Sequence, residues 1–294
     1  MTRARVVVGI DGSRTAERAM LWAAEVAGRR GAQLLIVHAS DPVPRTSNAQ
    51  PTDFVRTLML EAQTAVYESG ANCEVALLWA DEQPVRLLIR LSKQAELLVV
   101  GSHGLGQLAG KALGSVAYRV TAHARCPVAV VPGAWEPAGL ARPVVVGVLA
   151  TVDGSNALGY AFAEAASRGC ELKAVRSWCR ADWVPELSDG AQGWTDRFEA
   201  KQADRAEVIL RPFRQEQPDV RVTTIVTGDP VEDALLAAAA DADQLVVGCK
   251  FRDRHRLSRL DWATSRLVHD APCPVIVVGG SRSRRIEQQA VRAR

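Results

Sequence analysis

An offset of 138 lays residues 6–31 on residues 144–169 without a gap and matches 9 of 26 positions, among them the VVVG run and the Arg30-Gly31 and Arg168-Gly169 pairs. An offset of 147 lays residues 97–131 on residues 244–278 and matches 12 of 35, including LVVG and CPV. Both ends of one unit recur, and each copy is long enough to enclose its own core, so the repeat predicts two similar domains in tandem. The offsets differ by nine residues, which places an insertion in the middle of the second copy, where residues 178–194 read as a longer irregular loop. Between the copies, residues 132–143 hold three prolines and two glycines. That punctuation predicts units at 1–135 and 144–280, a linker at 136–143 and a basic tail at 281–294.

Each copy alternates short apolar runs with helical signals. In the first, residues 6–10, 34–38, 73–79, 97–100 and 128–131 read as strands. Residues 13–31, 53–69, 85–93 and 115–124 read as the helices between them, with Ser13 as an N-cap and Gly31 and Gly70 as stops. Strands apolar on both faces and separated by helices predict a parallel sheet covered on both sides, with right-handed crossovers. The second copy repeats the order with strands at 144–148, 172–175, 222–226, 245–247 and 275–278. The expected fold class is α/β: two tandem doubly wound, five-stranded, Rossmann-like units. Such units bind ligands beyond the strand C-termini, where the strand order reverses.

Composition excludes several classes. At 48% hydrophobic and 23% charged the chain is an ordinary globular one, and no apolar run approaches the ~20 residues of a membrane helix. No membrane association is expected. Residues 1–5 lead straight into the first strand, which predicts a cytoplasmic protein without a leader. The net charge of +3 resides in the tail: residues 281–294 carry five arginines against Glu287, leaving the rest of the chain at −1. A nucleic-acid binder would carry its excess in a patch on the fold, so no nucleic-acid partner is expected. The six cysteines form neither a CxxC pair nor a zinc spacing and read as reduced thiols.

The chemistry concentrates after the fourth strand of the first copy. There Gly101-Ser102-His103-Gly104 is followed, nine residues on, by Gly114-Ser115 opening a helix. Glycines after a buried strand allow close backbone approach and positive φ, and a Gly-Ser helix start presents free N–H groups and the positive end of the dipole. From Leu97 to Trp135 there is no Asp or Glu, while His103, Lys111, Arg119, His123 and Arg125 lie inside the segment. This predicts an anion site of phosphate type. A Walker loop fails at Leu105 and Ala112, and the GxGxxA run from Gly104 follows the fourth strand rather than the first, which disfavours NAD.

With this loop, the opening VVVGIDGS, the His38-Ala39 end of the second strand and the closing RCPVAVVP, the chain resembles the universal stress protein family in its tandem form. The resemblance spans nearly the whole length apart from the basic tail. It implies an ATP site, possible magnesium included, with cyclic AMP as the less favoured ligand. Asp11 would contact the nucleoside or its metal, Ala39 would face adenine, and Val100 and Gly101 would line the floor. Gly104, Lys111, Gly114, Ser115 and Val116 would receive ribose and phosphates, with Gly9, Ser102 and His103 completing the site.

The second copy departs from this pattern. At the same offsets Asp11, Gly104, Gly114 and Ser115 become Leu149, Phe251, Asp261 and Trp262, so the site reads as erased; Asp153 would replace Asp11 only through a four-residue bulge. No nucleophile elbow, metalloprotease motif or paired metal histidines occurs, and no catalytic residue or metal ligand set is assigned. The expected function is an ATP-binding regulatory protein acting through nucleotide-dependent conformation or partner choice. The alternatives are a slow ATPase or autophosphorylating protein, with Ser115 or Ser102 as acceptor, and a nucleotide-free scaffold. The apolar last strand of each copy is expected at a sheet edge, pairing the copies as an intramolecular pseudo-dimer, with homodimerisation of the whole chain beyond that.

Overall fold

A computed structural model describes residues 4–40, 52–104, 113–136, 142–178, 191–249 and 260–279. The first copy supplies β1 (Arg5–Ile10), α1 (Arg14–Arg30), β2 (Gln33–Ser40), α2 (Asp53–Glu68), β3 (Glu74–Asp81), α3 (Pro84–Leu91), β4 (Leu97–Gly101), α4 (Ser115–His123) and β5 (Val128–Val131). The second supplies β6 (Val144–Gly147), α5 (Val152–Arg168), β7 (Leu172–Ser177), α6 (Ala191–Glu216), β8 (Val222–Thr227), α7 (Val231–Ala239), β9 (Gln244–Cys249), α8 (Trp262–Asp270) and β10 (Val275–Gly279). Among the described residues no helix is long and apolar enough to cross a membrane.

The repeat is visible in the helix ends. Ser13 accepts from the Ala16 N–H to start α1, and Gly31 stops it at φ 58°. At the offset of 138, Thr151 accepts from the Gly154 N–H and Gly169 stops α5 at φ 62°. The gapless alignment is therefore the structural one: Leu149 holds the place of Asp11, and Asp153 lies inside the first turn of α5 rather than in a bulge. The middle of the second copy differs from the irregular loop expected at 178–194. Residues 191–194 are already helical, and α6 runs for 26 residues where α2 runs for 16, so the insertion goes partly into a longer helix.

All ten strands form one sheet in the order β3-β2-β1-β4-β5-β10-β9-β6-β7-β8. Pairing is parallel within each copy and antiparallel at the join, where Val275, Ile276 and Val277 face Val130, Ala129 and Val128. Alternation along the strands divides the core. Val6, Val8, Leu34, Ile36, Leu97 and Val99 pack beneath α1 and α2 in a layer continuous with that beneath α5 and α6. Val7, Leu35, Val37, Leu98 and Val100 face the side of α3 and α4. Because the copies share faces but run antiparallel at the join, an approximate twofold axis stands normal to the sheet. The strand C-termini of the two copies consequently point in opposite directions.

A buried ionic cluster lies beside that axis. Arg30 and Arg168, equivalent residues at the ends of α1 and α5, both pair with Glu164. Arg30 also reaches Glu96 at 3.1 Å and the Tyr160 hydroxyl at 2.6 Å, and Arg168 pairs with Asp243, the counterpart of Glu96. Gln244 Nε2 donates to the second Glu164 oxygen at 3.2 Å. Burial alone would raise the Glu164 carboxyl, but Arg30 and Arg168 outweigh it and hold it below the ordinary carboxylate value. The five described cysteines are free, and burial pushes the equivalent pair Cys126 and Cys273 up to about 12.

Candidate functional site

The end of β1 turns through Asp11 and Gly12 into α1. Gly12 takes φ 87°, a left-handed value that favours glycine, and the Ser13 N–H donates to Asp11 Oδ1 at 2.9 Å. At the end of β2 the buried His38 donates through Nδ1 to the Ile10 carbonyl at 2.9 Å, tying the two strand ends together. Leu88 of α3 lies so near Gly9 that an added Cβ would stand 3.1 Å from its Cδ1.

β4 delivers Val100 and Gly101 and continues into Ser102, His103 and Gly104. The Ser102 N–H donates to Val131 O at 2.9 Å and its carbonyl accepts from the Gly114 N–H at 2.8 Å, so the loop between them starts and ends at one point. Its hydroxyl lies 2.9 Å from His103 Nδ1. Among the described residues no side chain caps α4 at Gly114, which leaves the first-turn N–H groups for another acceptor.

These ends surround a cavity of about 570 Å³. Ten of the twelve residues expected from sequence line it: Gly9, Asp11, Ala39, Val100, Gly101, His103, Gly104, Gly114, Ser115 and Val116. Ser102 does not; it is buried behind His103. Lys111 lies outside the described residues. Sequence reasoning missed His38 and the apolar wall residues Ile10, Ala16, Val37, Phe54, Pro84, Leu88 and Ala117. Only the start signals of α2 and α3, at Phe54 and Pro84, mark them in the sequence. Asp11 is the one carboxylate among the lining residues. The expectation of positive φ at the signature glycines is corrected: left-handed glycines among the described residues are Gly12, Gly31, Gly70 and Gly169. Space distinguishes the three: a Cβ at Gly101 would meet the Thr15 backbone, whereas at Gly104 and Gly114 it would crowd a neighbour without meeting immovable backbone under 3 Å. At Gly104 a Cβ would collide with Asp11 Oδ2, and at Gly114 it would stand 3.2 Å from Ser102 O.

The second copy rebuilds the same places differently. Asp261 takes the Gly114 position and caps α8 itself, its Oδ1 accepting from the Thr264 N–H at 2.7 Å. Trp262, in the Ser115 position, is exposed, with the Arg266 guanidinium 5.6 Å from its ring centre. Arg176 stands where His38 does and likewise reaches the end of the first strand, donating to Val148 O at 3.1 Å. The expected Phe251 and the basic run Lys250, Arg252, Arg254, Arg256 and Arg259 lie outside the described residues.

Fold and cleft together define the class: an α/β protein of two doubly wound units, with an apolar-walled cleft that reaches the start of α4 where the strand order of the first unit reverses. Comparison with known proteins makes this specific. The model of the universal stress protein family matches residues 2–132 and 141–279. Universal stress protein Rv2005c of Mycobacterium tuberculosis is 31% identical over 286 residues, covering 92% of this chain and 96% of that protein. A crystal structure of a universal stress protein from Archaeoglobus fulgidus covers 96% of this chain and 100% of its own at 16% identity, with a TM-score of 0.66. A universal stress protein solved in complex with cAMP is 29% identical, covering 45% of this chain and 99% of its own, with a TM-score of 0.37. The chain belongs to the universal stress protein family.

Proposed function

We propose that this is a cytoplasmic regulatory protein that binds an adenine nucleotide, ATP in the first instance, in the first copy only. The observation that carries the reading is the contrast between two equivalent helix starts. α4 begins at a glycine and leaves its N–H groups open to the cavity, whereas α8 begins at an aspartate that caps itself and sets a negative charge at the same point. In the first copy the apolar walls from Val37 to Leu88 suit a purine, and Gly104, Gly114, Ser115 and Val116 suit the phosphates. Magnesium would arrive on the phosphates with Asp11 as the nearby carboxylate. Occupancy then acts through its differential affinity for two conformations or partner states.

The test uses the full chain. Calorimetric titration with ATP, ADP and cyclic AMP is expected to give one site per chain. Gly114→Asp should abolish binding with the circular dichroism unchanged, while Trp262→Ser should leave it intact. Two nucleotides per chain, or a single site that survives Gly114→Asp and is lost with Trp262→Ser, would overturn the assignment.

A further inference from the structure

The cleft of the first copy is bounded from both faces of the sheet. Val37, Leu88, Val100 and Ala117 belong to the layer under α3 and α4, and Pro84 opens α3 beside them. Phe54 reaches the same cleft from α2, on the opposite face. Strand order separates the ends of the cleft: β2 and β4 flank β1, so Ala39 and Phe54 mark one end and the start of α4 marks the other. The first end offers hydrocarbon and a ring, the second open N–H groups.

The start of α2 leaves Phe54 no place in the core. Thr52 accepts from the Val55 N–H and fixes the first turn, and Val55, Met59, Ala62 and Val66 form the stripe that α2 buries on the sheet. Leu58 lies off that stripe, against the turn at Gly12, where an added Cβ would stand 3.6 Å from its Cδ1. Phe54 comes one helical turn before Leu58, and long side chains on a helix lean toward its N-terminus. The ring therefore projects past the start of α2 over the strand ends. It is 65% exposed although it borders an apolar wall, and it is the only phenyl, phenol or indole ring among the described lining residues. A phenylalanine this wet beside such a wall loses its exposure when a flat, weakly polar group enters between the two.

We propose that Phe54 covers the nucleobase. A bound nucleotide slides its base between the Phe54 ring and the wall of Pro84 and Leu88, and stacking on the ring sets the preference of the cleft for nucleotides over bare polyphosphates and sugar phosphates. This role rests on the nucleotide reading of the cleft, and the phosphates stay at the α4 end. Every base has a π face, so the ring selects for the presence of a base and not for adenine among bases.

Calorimetric titration of the full chain with ATP and with inorganic tripolyphosphate, on the native protein, Phe54→Ala and Phe54→Trp, tests the role. ATP affinity should fall at least about fivefold in Phe54→Ala, the lower bound of what one base–aromatic stack contributes, and return in Phe54→Trp. Tripolyphosphate should bind all three alike, since its contacts lie at the α4 end. The three melting temperatures should coincide because the side chain is exposed, whereas a merely structural part for Phe54 would move melting and both ligands together. In Phe54→Trp, ATP should quench the emission of the added indole and tripolyphosphate should not. ATP affinity unchanged in Phe54→Ala, or tripolyphosphate affinity lost to the same extent, would overturn this role alone. A native chain that binds no nucleotide would overturn the reading of the cleft and this role with it.

Discussion

A methyl group at Gly101 would stand 2.9 Å from the backbone of Thr15, and one at Gly248 2.6 Å from the carbonyl oxygen of Asp153, the equivalent place in the second copy. Both residues are glycine because the first helix of each unit crosses the fourth strand too closely for a Cβ, whatever the cleft contains. That accounts for the survival of this signature glycine in the second copy, where the Gly114 position has become aspartate. Gly104 answers to a different need, the carboxylate of Asp11. The two should therefore respond oppositely to the same change. Gly248→Ala is expected to destabilise the chain by about 1–3 kcal/mol through overpacking, with nucleotide affinity untouched. Gly104→Ala should leave stability nearly unchanged, since Asp11 can swing aside, but displace Asp11 and weaken ATP binding at least about tenfold, or ~1.4 kcal/mol. Urea denaturation and calorimetry on both variants check the pair, and equal effects on both quantities would refute the division. The spacing of the three glycines was legible in the sequence; their separate reasons were not, because a steric need shows only once helix and strand are in place.

At the scale of the element, caps carried most of what could be read in advance. Ser13 and Gly31 fix the ends of α1 through local chemistry, which is why α1 falls within a residue or two of the sequence reading, and Thr151 and Gly169 fix the ends of α5 in the same way. α6 escaped because nothing in residues 191–194 announces a helix start, and the helix continues through Pro212 where local preference would stop it. Asp261 was legible as a charge set against a phosphate, but its hydrogen bond to the Thr264 N–H was not. The second copy has exchanged an anion site for a cap. Asp261→Ala should accordingly cost about 1 kcal/mol, the usual worth of an N-cap, whereas Asp261→Asn should cost little. Neither should create a second nucleotide site, because Leu149 and Trp262 still occupy the places of Asp11 and Ser115. Denaturation midpoints and binding stoichiometry test both halves of this statement.

Across the whole molecule, the two copies are held by the β5–β10 join and by one carboxylate shared between two equivalent arginines. Glu164 has no counterpart in the first copy, where Val26 stands at its position, so the approximate twofold symmetry is broken at the point where the copies meet. With its side chain 5% exposed and faced by Arg30, Arg168 and the Gln244 amide, Glu164 cannot be removed without leaving buried guanidinium groups short of charge. Glu164→Gln should therefore cost about 3 kcal/mol at neutral pH, in line with the loss of one partner from a buried ion pair. The pH dependence follows from the direction of the shift. Because the carboxyl titrates lower in the folded chain than in the unfolded one, its contribution is complete above the unfolded value of about 4.3 and disappears as the pH falls through the folded value. The stability gap between the native chain and Glu164→Gln should hold constant from neutrality to mildly acidic pH and then close below about pH 4. Guanidinium denaturation at a series of pH values measures the gap directly. A gap that widens on acidification would mean that the carboxyl is protonated in the folded protein and that the two halves are held together by something other than its charge.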